Sequence, residues 1–359
     1  MGYGTYIGFR LVNFAAILII ITLMTCAIFD TAMTRLLKAQ IAEQVQQDVM
    51  NWVKQQQQHG KMPTQEEINA YKEYRTQIYY KRYGLDKPAW VRVFYRTWDV
   101  LRFKFGKSVS GLITYRGSRD VATIIFGYLP NTIILFTTGA IITMVIGIFL
   151  GLQMARRAGG KLDRAITTFA MVSYSLPMWW TGMLFIFAFS FGLKVFPAGG
   201  MHTLPPPEDP ILYWLDFLWH LALPLITLVF VSFGGWAYTT RSLVLGTLQQ
   251  DFVMAARAKG MPERKVLYGH VLRAVSPSLA TMCILSVVSS MWGAMISEAV
   301  FNWPGMGRLY WIAIEANDLA IVIGLTYVST FIWLMALIII DLIYGLLDPR
   351  IRVGIKVTR

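Results

Sequence analysis

The sequence predicts an all-α membrane protein with six transmembrane helices, and three observations carry that expectation. First, 55% of the 359 residues are hydrophobic and only 15% are charged, a balance that soluble domains rarely show. Second, the apolar residues fall in long blocks of the length that the hydrocarbon core of a bilayer demands of a helix, about 20 residues. Third, the formal charge is +13, and Lys and Arg recur in alternate short connectors between the apolar blocks, as topology signals do, although the long stretch 29–119 is also rich in Lys and Arg. That placement argues against a nucleic-acid footprint, so no nucleic-acid partner is expected.

The first apolar block covers residues 11–28, after Arg10. It is long for the core of a signal peptide and no small-residue cleavage site follows it, so a retained helix is expected. Residues 29–119 are polar, with a glutamine run at 55–58 and an expected helix over 65–83, where Thr64 and Glu67 have the spacing of a capping box. Trp90, Phe94, Tyr95, Trp98 and Phe103 then crowd one stretch, which suggests a packed or interfacial segment. Five further apolar blocks follow at about 129–152, 165–193, 221–245, 276–300 and 319–346. Arg10, the cluster Arg156, Arg157, Lys161 and Arg164, the basic connector 246–275 and the tail all fall on one side, whereas the two short loops on the other hold only Lys194 and Arg308. Both termini are therefore expected in the cytoplasm, with the long polar insert outside, since long segments cross largely regardless of charge.

The connector 246–275 is the most informative stretch. Asp251 is placed to cap a short helix, Gly260 to end it with a left-handed residue, and Pro262 to open a second helix with Glu263 near its positive end. Ala255 and Ala256 leave room for a partner surface, and Met254, Met261 and Val266 offer apolar contacts. Two readings stand on residue physics alone: a docking elbow, or a basic connector that only sets topology. Within the bilayer, Ser286, Ser290, Gly293 and Ser297 recur at three- and four-residue spacing. They fit close helix packing or a polar route; Ser175 beside Pro177 is open to the same two readings. Glu298 is expected either at the outer mouth of a pathway or partly hydrated at the interface, and Asp341 in a structural pairing with Arg350 or a backbone donor. Pro177 is expected to kink the third span. Cys26 and Cys283 read as small buried apolar residues, and His59, His202, His220 and His270 are scattered, with no catalytic or metal-ligating spacing.

The run Ala255-Ala256-Arg257-Ala258-Lys259-Gly260, with Val266-Leu267 and Pro277 downstream, resembles the "EAA" loop of ABC importer permeases; Met254 stands where that motif has a glutamate. Ser297-Glu298 through Trp303-Pro304-Gly305-Met306-Gly307-Arg308, the ending Asp348-Pro349-Arg350, and Tyr83-Gly84-Leu85-Asp86-Lys87-Pro88 are similar to segments of the oligopeptide/dipeptide branch. The resemblance spans about residues 83–352 plus the first block. It implies a five-helix permease core preceded by one helix. The corresponding division is 1–28 (amino terminus and first helix), 29–119 (extracytoplasmic insert), 120–348 (core with coupling loop 246–275) and 349–359 (cytoplasmic tail).

It further implies a subunit of a prokaryotic cell-membrane importer of di- or oligopeptides, with no enzymatic activity of its own. Met254, Ala255, Ala256, Arg257, Ala258, Lys259, Gly260, Met261 and Pro262 would form the coupling helix that docks an ATPase. Ser175, Ser286, Ser290, Ser297 and Glu298 are candidate pathway residues. The implied partners are a second homologous permease, two ABC ATPase subunits, an extracytoplasmic substrate-binding protein and membrane lipid. This chain would hold no cofactor, ATP and Mg²⁺ being bound by the ATPases. The two lysine-containing strings nearest a phosphate-binding loop, around Lys107 and Lys161, lack its full pattern. Oligosaccharide import by the same machinery is an alternative cargo. An ion-driven transporter would call for paired intramembrane charges or repeated broken helices, and neither is evident.

Overall fold

The computed structural model describes residues 3–111 and 113–347, and among them the chain is built from helices and forms no strand. Five helices are long and apolar enough to cross a bilayer, and a sixth candidate is a bent pair. The chain divides into two compact units, residues 1–122 with 317–331, and 123–316 with 332–359.

The first unit is organised by α1 (Tyr3–Gln58), which runs unbroken through the expected boundary at residue 28. Polarity changes there but helix propensity does not: residues 29–58 contain neither Gly nor Pro, and glutamine, a good helix former, is their commonest residue. At 1.5 Å per residue, 56 residues make a rod of about 84 Å, nearly three times the hydrocarbon thickness. Its polar half carries a narrow buried stripe, Ile41 and Val45. α2 (Gln65–Tyr83) folds back on it. Trp52 stacks on Tyr71 with ring centres 4.7 Å apart, and Asp48 accepts hydrogen bonds from Arg75 and the Tyr79 hydroxyl. The capping box read from the sequence is present: Glu67 N–H donates to Thr64 Oγ1, and Thr64 N–H to the Glu67 carboxylate.

α3 (Ala89–Leu101) is fastened to α1 through buried Asp30, which takes Arg92 at 2.6 Å and Arg96 at 3.4 Å. The first part of α13 (Leu319–Leu347) completes this unit. Asp318, fully buried, directs one oxygen at Ile321 N–H. The other accepts from Ser108 Oγ at 2.6 Å and from the backbone of Val109 and Ser110. Phe103 packs edge to face against Phe105, Tyr327 and Phe331 around that joint.

The second unit contains most of α4 (Val121–Arg156), then α5 (Lys161–Ser175), α6 (Met178–Phe185) with a π-helical turn at Ile186–Gly192, and α7 (Pro210–Leu248). α8 (Asp251–Ala258) and the short α9 (Glu263–Lys265) follow, then a π-helical turn (Val266–Val271) leading into α10 (Leu272–Ser290). α11 (Met295–Val300), α12 (Met306–Glu315) and the remainder of α13 complete it. Two expectations change here. The third apolar block bends far more sharply than a kink: α5 and the segment Met178–Gly192 meet at 100°, the geometry of a broken span or a re-entrant loop. Proline drives its predecessor out of the helical region, and Leu176 is accordingly extended, with φ −91° and ψ 120°. The fifth block also breaks. α10 ends at Ser290, Gly293 takes φ +68°, and Ser297 belongs to α11. The serine stripe therefore does not continue along one helix. The pairing expected between Asp341 and Arg350, the Asp348–Arg350 ending and the tail 349–359 involve residues outside the described ones.

Candidate functional site

The elbow around α8 sits where α7 ends and α10 begins. Gln250, extended at φ −80° and ψ 150°, takes the N-cap position. Asp251, expected as the cap, is instead the first helical residue, where its charge still favours the helix start. The carboxyl end closes as the sequence suggested, and in more detail. Gly260 takes φ +75°, its N–H donates to Arg257 O at 2.9 Å, and Met261 N–H reaches Ala256 O at 3.4 Å. This pair of bonds is a Schellman closure, and a glycine suits its left-handed position. Pro262 then stands immediately before α9, at φ −64°.

The elbow has two distinct faces. Inward, Val253, Ala256, Val266 and Leu267 form one core with Leu152 and Ala155 of α4, Val244 of α7 and Val271, Val275 and Leu279 leading into and along α10; Met261 packs against it. Outward lie Phe252, Met254, Ala255, Arg257, Ala258, Lys259 and Gly260, all exposed. Ala256 and Val266, expected to meet a partner, are thus 7% and 0% exposed and belong to the inner core. Their spacing puts them on the side opposite Ala255 and Met254. The pair Arg257–Glu263, at 2.8 and 3.2 Å, braces the turn across the surface, so the Glu263 carboxylate does more than favour a helix start.

The pathway candidates scatter. Ser175 is exposed and donates to Met171 O. Ser290 bonds the Thr137 hydroxyl at 2.9 Å, and Ser286 is half-buried. Ser297 and Glu298 are buried, at 4% and 0% exposure, so neither lines an open route in this chain. Glu298 is instead the centre of a knot. Its carboxylate accepts from Thr132 Oγ1 at 3.1 Å and from Arg308 N–H at 3.0 Å. A Cβ added at Gly293 or Gly305 would lie 2.4 Å from its oxygens, so both positions must stay bare for the carboxylate to fit. Trp303, fully buried, donates from Nε1 to Asn131 O, and Asn131 Nδ2 donates to Pro304 O. The Trp-Pro-Gly segment is in this way tied to α4.

The second unit does contain a cleft, of about 800 Å³, along α5 and α7. Ser173, Tyr174, Ser232, Trp236, Tyr238 and Thr239 are among its walls. Two further clusters were not anticipated. Arg241 grips Asp163 through Nε and through Nη2 at 2.8 Å, joining α7 to the start of α5; Asp163 was the one acid in a basic loop, which was the available signal. His202 and Thr203 converge on the Asp216 carboxylate while His220 bonds the Asp216 carbonyl, so two of the four histidines are neighbours. Among the described residues no group of His, Cys, Asp and Glu has the arrangement of a metal site.

Comparison with known proteins agrees with this architecture. The family model described as "Binding-protein-dependent transport system inner membrane component" matches residues 144–353. The chain is 31% identical over 272 residues to the oligopeptide transport system permease protein AppB of Bacillus subtilis, covering 76% of this chain and 83% of that protein. It is 31% identical to the probable D,D-dipeptide transport system permease protein DdpB of Escherichia coli, over 76% and 82% of the two chains. It is 32% identical to the peptidoglycan transport system permease protein YejB of Agrobacterium fabrum, over 76% and 74%. The family match takes in the α8 elbow, the α5–α7 cleft and the Glu298–Arg308 side of the knot, and the chain belongs to the family of inner membrane components of binding-protein-dependent transport systems.

Proposed function

We propose that this chain is one transmembrane subunit of an ATP-driven importer of peptides, and that the outward face of α8 receives the motion of a separate ATPase. One observation carries the reading: α8 is exposed on the side bearing Met254, Ala255 and Ala258, and on the other it is rooted among α4, α7 and α10. A push on the exposed side is delivered into three membrane helices at once, because a close-packed core transmits displacement instead of absorbing it. Small residues let a partner approach the backbone, and methionines adapt to it.

Both termini and α8 are assigned to the cytoplasm, and the α1–α2 hairpin to the outer side. The peptide cargo follows the relatives that are named for oligopeptides and dipeptides. An extracytoplasmic binding protein would deliver it, and a second permease would complete the pathway. The cleft along α5 and α7 is the wall assigned to that pathway, since its Tyr, Ser and Thr side chains offer hydrogen bonds to a peptide backbone without fixing a side chain. Hydrolysis of ATP belongs to the partner subunits.

Crosslinking in native membranes tests this. Ala255→Cys should form adducts with a nucleotide-binding subunit, and mass spectrometry of the copurified complex should find a binding protein and trapped peptide. Absence of any such adduct, with transport still running in the variant, would reject the docking face. A trapped oligosaccharide would reject the cargo and leave the docking face standing.

A further inference from the structure

We propose that α3 is a lipid-contacting helix, whose aromatic face lies against the bilayer where the apolar stretch of α1 ends. The helix has three separate sides. Trp90, Phe94 and Trp98, four residues apart, form one stripe and are 74%, 63% and 48% exposed. Arg92, Arg96 and Asp99 lie on the opposite side, and Thr97 and Val100 are buried. Arg92 and Arg96 turn their side of the helix to Asp30 of α1, so the aromatic stripe is the face that α3 turns outward.

α3 is also held just where the apolar stretch of α1 ends. The apolar stretch of α1 displays Ile20, Leu23, Met24 and Ile28, the last 69% exposed. Asp30 is its first charged residue, and Asp30 is where α3 is held, by Arg92 and Arg96, with Arg92 also reaching Thr34 Oγ1 at 3.2 Å. The aromatic stripe therefore continues the exposed apolar surface of the same unit. Two cations flank it in the manner of interfacial residues: Arg102 lies 4.2 Å over the Trp98 ring and Lys87 4.6 Å over Tyr95. Tryptophan and tyrosine beside Lys and Arg at the end of an apolar stretch form the belt that anchors a protein at headgroup level. The two arginines on Asp30 fix α3 along the α1 axis, and so set the depth of the belt.

The inference rests on α1 crossing the membrane, not on the cargo or the ATPase. It is tested on the unaltered full chain in its assembled transporter, in nanodiscs of phosphatidylethanolamine and phosphatidylglycerol. A phosphatidylglycerol with a diazirine near the ester end of one acyl chain is photolysed, a water-soluble diazirine is used in parallel, and adducts are mapped by mass spectrometry. Lipid adducts on Trp90, Phe94 or Trp98, at a yield comparable to those on residues 17–28 of α1, are expected, with the aqueous probe several-fold weaker there than on residues 65–83. Adducts on α1 without any on α3 would overturn the proposal. The aqueous probe would then show whether water or a protein neighbour covers the stripe, and the membrane assignment of α1 would stand.

Discussion

The α8 elbow and the Glu298 knot stand out equally in the sequence, yet they are opposites as structures. The elbow carries most of its recognisable run, Ala255 and Arg257 to Gly260, on an exposed surface over a Val/Leu/Ala core that takes in Ala256, Val266 and Leu267. The knot buries its own: Glu298 and Trp303 are both at 0% exposure, and two glycines are pressed against the carboxylate. A pattern of distinctive residues thus marks constraint without revealing its source. In the elbow the constraint is attributed to an outside partner; in the knot it is internal fit and the hydrogen bonding of a buried carboxyl group.

That contrast can be broken by mutation, and the largest effect should come from the knot. Gly305→Leu puts a side chain where a Cβ alone would sit 2.4 Å from Glu298 Oε2 and 2.5 Å from Thr132 Oγ1. Destabilisation of several kcal/mol is expected, overpacking alone costing about 1–3 kcal/mol, and thermal unfolding in detergent should show it before any transport assay matters. Glu298→Ala should follow, at about 3 kcal/mol, since the Thr132 hydroxyl and Arg308 N–H lose their acceptor in a buried site.

In the elbow, Ala256→Trp and Ala255→Trp should separate its two faces. The first should lower the unfolding temperature, because the inner core is full. The second should leave it within about 1 °C, in keeping with the roughly ±0.5 kcal/mol typical of surface changes, while abolishing stimulation of ATPase activity by the binding protein. Equal thermal effects would mean that the elbow has no free face. Gly260→Asp is expected to cost about 1 kcal/mol through its left-handed φ and to reduce transport far more than assembly. Arg257→Ala should be the mildest. Its ion pair with Glu263 is 43% and 64% exposed, and such pairs contribute less than about 1 kcal/mol.

Much of the fold was legible because hydrophobic blocks and local caps are short-range signals. The apolar blocks, the Thr64–Glu67 box and the left-handed Gly260 are all contained within a few residues. Three things were not legible. The unbroken α1 was hidden because a change of polarity resembles a boundary, although no helix-breaking residue accompanies it. The break after Ser290 was hidden because Gly293 within an apolar run reads as a packing glycine. Partners far apart in the chain were hidden as well: Thr132 with Glu298, Asp163 with Arg241, Ser108 with Asp318. For the elbow, the sequence alone offers Ala255 and Ala256 together to a partner, and which of them faces the core is set by α4, α7 and α10.

The continuous α1 has a mechanical consequence. Residues 28–58 extend about 45 Å beyond the apolar stretch at helical rise, with no glycine or proline to act as a joint. A stiff lever of that length converts a small tilt of its embedded half, of the kind that bilayer thickness imposes, into a wide swing of the Gln55–Gln58 tip. The lipid composition of the membrane would thereby set where the far hairpin stands.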